Sequence, residues 1–183
     1  MANVYTPPPV HVSLLPREPV VIDDVCTPAQ LASAARRILE LRQACPESAK
    51  GANLGGWKSP YEIFDQSADL TRIGAAVRAQ LKLRWKIAQR PINWAMINGA
   101  GSSHPRHRHG SAGISCVLYV TAGDPPVPTV VELEDPAGGE LAVAPIPGRM
   151  LVMPMRLWHR VPVYAGASPR ITIAFDAFEG IRV

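Results

Sequence analysis

Residues 91–121 read PINWAMINGAGSSHPRHRHGSAGISCVLYVT, and the period of the sequence changes within this stretch. Before it, apolar residues recur at helical spacing, whereas from Pro91 onward they alternate with the period of two that is typical of β-strands. Two apolar runs, at residues 92–98 and 114–121, flank a segment rich in glycine and histidine. The second half of the chain is therefore predicted to form strands.

Further strand candidates follow at short intervals, and Gly or Pro clusters separate most of them. They cover residues 129–134, 140–144, 149–153, 161–164 and 170–178. Short strands at this spacing indicate an all-β sandwich or barrel.

Two helices are predicted in the first half of the chain. Thr27 is suited to cap the first helix, Pro28 to begin it and Pro46 to mark its end. The second helix is predicted over residues 67–84, and a short strand precedes both helices at residues 20–23. We therefore expect a mainly β protein, a jelly roll with two N-terminal helices packed on one sheet.

The length and the amino-acid composition favour one soluble globular domain over residues 1–183. The chain is 47% hydrophobic and 19% charged. We expect a proline-rich extended arm over residues 1–19, helical support over 20–90 and the β core over 91–178. Residues 50–66, 99–106 and 121–128 are expected to form loops that set specificity.

The composition also limits where in the cell the protein is expected to act and which partners it is expected to bind. The net charge is +4, and no run of Lys or Arg is longer than two, which argues against nucleic acid as a partner. We expect neither an export signal nor a membrane span. Cys26, Cys45 and Cys116 form no CxxC pair, which favours free thiols in the cytoplasm, with Cys116 in the core. A homodimer is the ordinary base-rate expectation.

The segment His107-Arg108-His109 is a candidate metal site. Side chains at i and i+2 of a strand point to one face, so two imidazoles would share a wall of the barrel. His159, which follows residues 154–158 at the end of a predicted strand, is a plausible third ligand. Such pairs also occur on surfaces and in cores, so the pattern alone leaves both interpretations open.

Other polar residues near this motif have less direct interpretations. His104 is interpreted as a loop residue, with a substrate contact as the alternative, and Trp94 and Trp158 as core residues, with a pocket lining as the alternative. The arginines at 106, 108, 156 and 160 are interpreted as a solvated face, with attraction of an anionic substrate as the alternative. The carboxylates at 124, 135 and 176 are less suited to be metal ligands, because none has the strand spacing that would place it beside His107.

Arg170 opens the last predicted strand, eleven residues after His159. Ile171, Ile173 and Phe175 alternate behind it, so the strand is otherwise apolar. An arginine that faces a barrel interior needs a carboxylate partner, and a guanidinium can bind one through two hydrogen bonds. We therefore expect Arg170 to bind an anionic ligand.

Taken together in order, these motifs resemble the iron(II)/2-oxoglutarate-dependent dioxygenases of the prolyl-hydroxylase-like branch. They are most similar to a little-characterised bacterial and phage group of such oxygenases that carries a His-x-His motif. The resemblance covers residues 90–178 and rests on Asn93–Asn98, His107-Arg108-His109, Ile114–Tyr119, Gly148–Pro154, Trp158-His159 and Arg170–Ile173. It implies a double-stranded β-helix, the cupin-like form of the jelly roll.

The resemblance also implies a role for each matched residue. His107, His109 and His159 would bind Fe(II), with His109 where most members of the superfamily carry Asp or Glu. Arg170 would pair with the distal carboxylate of 2-oxoglutarate, and Tyr119 would hydrogen-bond the same group. Ser115 and Asn98 would line the cosubstrate pocket.

The implied reaction consumes 2-oxoglutarate and O₂ and hydroxylates a C–H bond of a small molecule, an amino acid or a peptide. Two alternatives remain open. One is a cupin-like three-histidine dioxygenase that does not use 2-oxoglutarate, and the other is a metal-binding barrel without enzymatic activity. Arg170 separates the first alternative from the implied reaction, because a cupin has no need of an arginine at that position.

Overall fold

The computed structural model describes residues 14–49, 51, 53–87 and 89–178. The first thirteen residues of the predicted arm lie outside this range. In the described part of the chain, no helix combines the length and the apolar character that crossing a membrane requires.

Ten strands and two α-helices make up the described structure. The helices are α1 (Pro28–Ala44) and α2 (Ala68–Trp85), and a short 3₁₀ helix covers Ile63–Asp65. The strands are β1 (Val20–Ile22), β2 (Trp57–Lys58), β3 (Ile92–Asn98), β4 (His104–His107), β5 (Ile114–Thr121), β6 (Thr129–Glu132), β7 (Glu140–Val143), β8 (Met150–Pro154), β9 (His159–Val161) and β10 (Arg170–Ala177).

The strands form two antiparallel sheets. The large sheet has the order β1-β8-β5-β10-β3-β2, and the small sheet has the order β4-β9-β6-β7. The mainly β prediction, a double-stranded β-helix with two helices on one sheet, is confirmed. Strands β2 and β4 were not predicted: β2 is only two residues long, and β4 contains a proline and a register shift.

Local chemistry explains where both helices begin. The Thr27 hydroxyl accepts a hydrogen bond from the Gln30 amide N–H at 3.3 Å, and the Gln30 side chain accepts one from the Thr27 N–H at 2.8 Å. These two bonds form the predicted capping box, which satisfies donors left free by the first turn. Ser67 caps α2 through the Leu70 N–H.

The large sheet has two faces of different character. One face packs against the helices and carries Cys116 of β5 and Ile171, Ile173 and Phe175 of β10, all of them buried. The opposite face points toward the small sheet. On β10 that second face carries Arg170, Thr172, Ala174 and Asp176, because successive residues of a strand alternate between faces. One strand therefore contributes both to the core and to the space between the sheets.

Candidate metal centre and cavity

A cavity of about 660 Å³ lies between the two sheets. The large sheet contributes residues from β3, β5 and β10 to its wall, and the small sheet contributes residues from β4, β6 and β9. His107, His109, His159, Ser115 and Arg170 all line it. The fold thus brings most of the predicted site residues to one cavity.

The three predicted metal ligands lie together at this cavity. One ring nitrogen of each histidine lies within 4.8 Å of the corresponding nitrogens of the other two. His107 of β4 is the register partner of His159 of β9, whereas His109 lies two residues beyond the end of β4. The His109 backbone N–H donates to the Met155 carbonyl at 3.1 Å, which fixes the turn that returns this ring to the cavity. The two imidazoles of the His-x-His motif therefore converge through a turn and not through the regular alternation of a strand.

The hydrogen bonds of the three rings leave the same nitrogen free on each. His107 Nδ1 lies 2.8 Å from the Pro105 carbonyl, and His159 Nδ1 lies 3.1 Å from the Leu157 carbonyl. His109 Nδ1 lies 2.9 Å from Asp176 Oδ2. Because these oxygens accept hydrogen bonds, Nδ1 carries the proton on each ring, and the Nε2 lone pair remains available to a metal.

Burial favours the neutral form of His107 and His159. Desolvation, aided by the nearby His107, lowers the pKa of His159 to about 3, and desolvation also lowers the pKa of His107. A neutral imidazole is the form that coordinates a metal. Three imidazole nitrogen donors that converge at this spacing suit a divalent transition metal.

Asp176 lines the cavity and contacts Nδ1 of His109. Its Oδ1 atom is buried and has no hydrogen-bond partner among the described residues. Asp124 and Asp135 are exposed and do not line the cavity. Asp176 is not part of the histidine cluster found among the described residues, and its carboxylate reaches the site by its contact with His109.

Arg170 is a buried cation at another part of the cavity wall, and its residue is only 1% exposed. Its Nη2 donates to Thr129 Oγ1 at 3.2 Å, and its Nη1 donates to Asn98 Oδ1 at 3.4 Å. The Nε atom has no partner, and no carboxylate of the described residues lies within salt-bridge distance of the guanidinium. Burial lowers the pKa of Arg170. Its unused donors fit an incoming carboxylate.

The other two residues predicted to bind the cosubstrate lie behind the cavity wall. The Tyr119 hydroxyl donates to Thr129 Oγ1 at 2.8 Å, and the Tyr119 ring centre lies 5.4 Å from the Arg170 guanidinium carbon. Burial raises the pKa of Tyr119. Tyr119 and Asn98 do not line the cavity, whereas Thr129, whose hydroxyl contacts both Tyr119 and Arg170, does. Thr129 was missed because nothing in the sequence distinguishes it from other strand residues.

A fourth histidine of the cavity wall was misassigned from the sequence. His104 belongs to β4 and lines the cavity at 7% exposure, so its assignment to a loop was wrong. The register shift between His104 and His107 lets both rings face inward. Thr172, two residues after Arg170 on β10, does not line the cavity, although its buried hydroxyl has no hydrogen-bond partner in the described structure.

The two tryptophans, both interpreted as core residues from the sequence, have different surroundings in the structure. Trp94 lines the cavity and stacks on His109, with ring centres 6.1 Å apart and an angle of 14° between the planes. Trp158 is only half-buried, and the guanidinium groups of Arg106 and Arg108 lie 4.0 and 4.8 Å from its ring centre. Arg106 also pairs with Glu132. The core interpretation of Trp158 was therefore wrong, and Trp94 takes its alternative role.

No family model and no curated protein matches this sequence. Solved structures do match the fold. A Pseudomonas putida prolyl-4-hydroxylase is 17% identical, with a TM-score of 0.71 over 90% of this chain and 94% of that one. A Trichoplax adhaerens prolyl hydroxylase, in complex with a hypoxia inducible factor oxygen degradation domain peptide fragment, is 14% identical, with a TM-score of 0.67 over 88% and 84%.

A third similar structure is HygX from Streptomyces hygroscopicus with nickel and 2-oxoglutarate bound. It is 11% identical, with a TM-score of 0.68 over 90% of this chain and 84% of that one. At these identities the likeness concerns the fold. The chain therefore has the double-stranded β-helix fold that prolyl hydroxylases and other 2-oxoglutarate-dependent oxygenases share.

Proposed function

We propose that this protein is an Fe(II)- and 2-oxoglutarate-dependent oxygenase that hydroxylates a C–H bond of a small molecule, an amino acid or a peptide. One observation carries the proposal: three converging histidines and a buried arginine without a carboxylate partner in the described structure line the same cavity. A metal site alone would not require Arg170. A site that binds a metal and a dicarboxylate requires both features.

The donor set fits the two groups that the proposal requires. His107, His109 and His159 would hold Fe(II) through Nε2 and leave the remaining coordination positions to ligands from the cavity. Arg170, with the Thr129 hydroxyl beside it, would hold the distal carboxylate of 2-oxoglutarate. When bound, iron together with 2-oxoglutarate and O₂ supplies an oxidant that is strong enough to break a C–H bond.

The chain's own residues would orient these groups and exclude water. The hydrogen bonds at each Nδ1 fix the three rings. A three-histidine ligand set has no negative charge of its own, and the Asp176 carboxylate would supply one through its contact with His109. Val117, Val161 and Ala174 form apolar parts of the cavity wall. An apolar wall limits the water around the reacting groups.

The structural neighbours support this assignment, because they include a prolyl-4-hydroxylase and a protein with 2-oxoglutarate bound. Within the proposal, residues 1–183 form one domain that acts in the cytoplasm on a small-molecule or peptide substrate and not on nucleic acid. The described cysteines support that location, because Cys26, Cys45 and Cys116 are all free thiols. Membership in the bacterial and phage His-x-His group remains part of the same proposal.

Anaerobic titration tests the proposal directly. Fe(II) followed by 2-oxoglutarate is expected to produce a weak visible charge-transfer band in the wild-type protein. His159→Ala should abolish iron binding and the band, whereas the matched variant His104→Gln, which changes a cavity histidine outside the ligand set, should keep iron. If iron binds but no band forms, the protein is a three-histidine metalloprotein that does not use 2-oxoglutarate. If iron does not bind, the histidines are structural.

A further inference from the structure

A second buried cation, Lys58, reaches the cavity from the edge of the large sheet. Strand β2 pairs with β3, with Trp57 opposite Ile97 and Lys58 opposite Met96. The two β2 side chains point to opposite faces: Trp57 packs in the helix-side core, and Lys58 lines the cavity at 7% exposure. A lysine is rarely buried to this extent in a protein. Its position therefore calls for a functional explanation.

Two aromatic rings hold the Lys58 ammonium in place. Nζ lies 4.7 Å from the ring centres of both Tyr61 and Trp94, and it donates to the Tyr61 hydroxyl at 3.4 Å. The two rings meet edge to face, with centres 5.8 Å apart. Cation–π contacts of this kind stabilise a partly desolvated cation and fix its position. The ammonium is thus preorganised at the cavity wall.

The Lys58 ammonium is close to the metal centre. It lies on a different strand of the large sheet from Arg170. Trp94 contacts Lys58 and also stacks on His109, so Nζ is at most about 11 Å from the His109 ring, a separation that an amino-acid-sized molecule can span. In the large sheet, β3 separates β2 from β10, which places the two strands about 10 Å apart. The cavity therefore has two distinct cationic positions.

The charge balance of the lining favours an anionic occupant. Lys58, Arg108 and Arg170 contribute positive charge, and Glu62 and Asp176 are the carboxylates among the described lining residues. Glu62 forms a 2.9 Å ion pair with Arg90, and Asp176 contacts His109. A bound divalent metal would add further positive charge. With that metal and one dicarboxylate bound, the described lining residues still give the cavity a net positive charge.

We propose that Lys58 binds a carboxylate of the substrate, whose body lies against Trp94 and Met96 so that its C–H bond faces the metal centre. This inference rests on the proposed function and specifies its substrate class, an amino-acid-sized carboxylic acid. A phosphate is a poorer fit, because it carries about two charges and three acceptor oxygens, whereas one ammonium and the Tyr61 hydroxyl provide few donors.

Matched pairs of N-acetyl amino acids and their primary amides test this inference, since they differ only in the carboxylate. Binding is followed by ligand-observed NMR on protein loaded with Zn(II) and N-oxalylglycine, which replace iron and 2-oxoglutarate without turnover. Acids are expected to bind the wild-type protein at least about tenfold more tightly than amides. Lys58→Met should remove that preference, and Lys58→Arg should retain most of it. Lys82→Met, a change on the exposed side of α2, is the matched control.

The outcomes separate this inference from the function on which it rests. Equal binding of acids and amides, no binding of any acid, or an unchanged preference in Lys58→Met would overturn the substrate assignment. A loss of N-oxalylglycine affinity in Lys58→Met would also overturn it, because Lys58 would then anchor the cosubstrate. The Fe(II)–2-oxoglutarate band of the wild type is measured separately, so its absence would contradict the proposed function itself.

Discussion

Arg170→Met removes a buried cation while it keeps most of the side-chain volume. The residue is 1% exposed, its two described hydrogen bonds are 3.2 and 3.4 Å long, and its Nε has no partner. Burial of a charge without a counter-ion costs several kcal/mol, so the metal-free variant is expected to gain about 1–4 kcal/mol in the free energy of unfolding. At this chain length, each kcal/mol raises the Tm by about 2–4 °C.

The same change should weaken 2-oxoglutarate binding severely. Two charge-assisted hydrogen bonds from a guanidinium contribute about 1.5–3 kcal/mol each, so their loss lowers the affinity about 10²- to 10⁴-fold. Thermal unfolding of the metal-free protein measures the first effect, and anaerobic titration of 2-oxoglutarate into the Fe(II) protein measures the second.

The two readouts test two different steps of the reasoning. The control is Arg84→Met on the exposed surface of α2, which should change neither quantity. A 2-oxoglutarate affinity within threefold of the wild type (~0.7 kcal/mol) would refute the role of Arg170 as the carboxylate anchor. A lower Tm would refute the claim that its burial is costly, and would mean that the bonds to Thr129 and Asn98 outweigh desolvation.

Asp176→Asn keeps a hydrogen-bond acceptor for His109 but removes the charge, so Fe(II) affinity should fall about 10- to 100-fold by competition titration; Asp24→Asn, an exposed control, should not change it. Because the pKa of His104 and of His159 is lowered to about 3 from 6.5, the unfolded chain binds protons that the folded chain does not. The Tm of the metal-free protein should therefore fall as the pH drops from 6.5 toward 3, and a flat profile would contradict this. Native thiol titration should detect Cys45 alone, because it is the exposed cysteine, and denaturation should release all three thiols.

Elements with a long and regular pattern were predictable from the sequence. The capping box at Thr27 marked the start of α1. The apolar run of β5 indicated a buried strand, and the alternation of residues in β10 indicated the inward direction of Arg170. These signals depend on local hydrogen bonding and on which face a residue occupies, and both can be derived from neighbours in the sequence.

The remaining site residues depend on contacts between distant segments. Lys58 belongs to a two-residue strand, which is too short to show any period, and its position follows only from pairing with β3. His104 faces inward because of an irregularity between β4 and β9. Asp176 reaches His109 across 67 residues of sequence. No spacing rule within one segment could have predicted such partners.

The alternation of β10 limits how this site could change over time. Arg170, Thr172 and Asp176 share one face, and Ile171, Ile173 and Phe175 share the other. Insertion or deletion of a single residue within the strand would exchange the two sets, burying an arginine among the helices and pointing isoleucines at the cavity. New specificities could therefore arise here only by replacement of one side chain at a time. Changes in length would be tolerated in the segments between strands, such as residues 122–128 and 133–139, which lie outside the ladder.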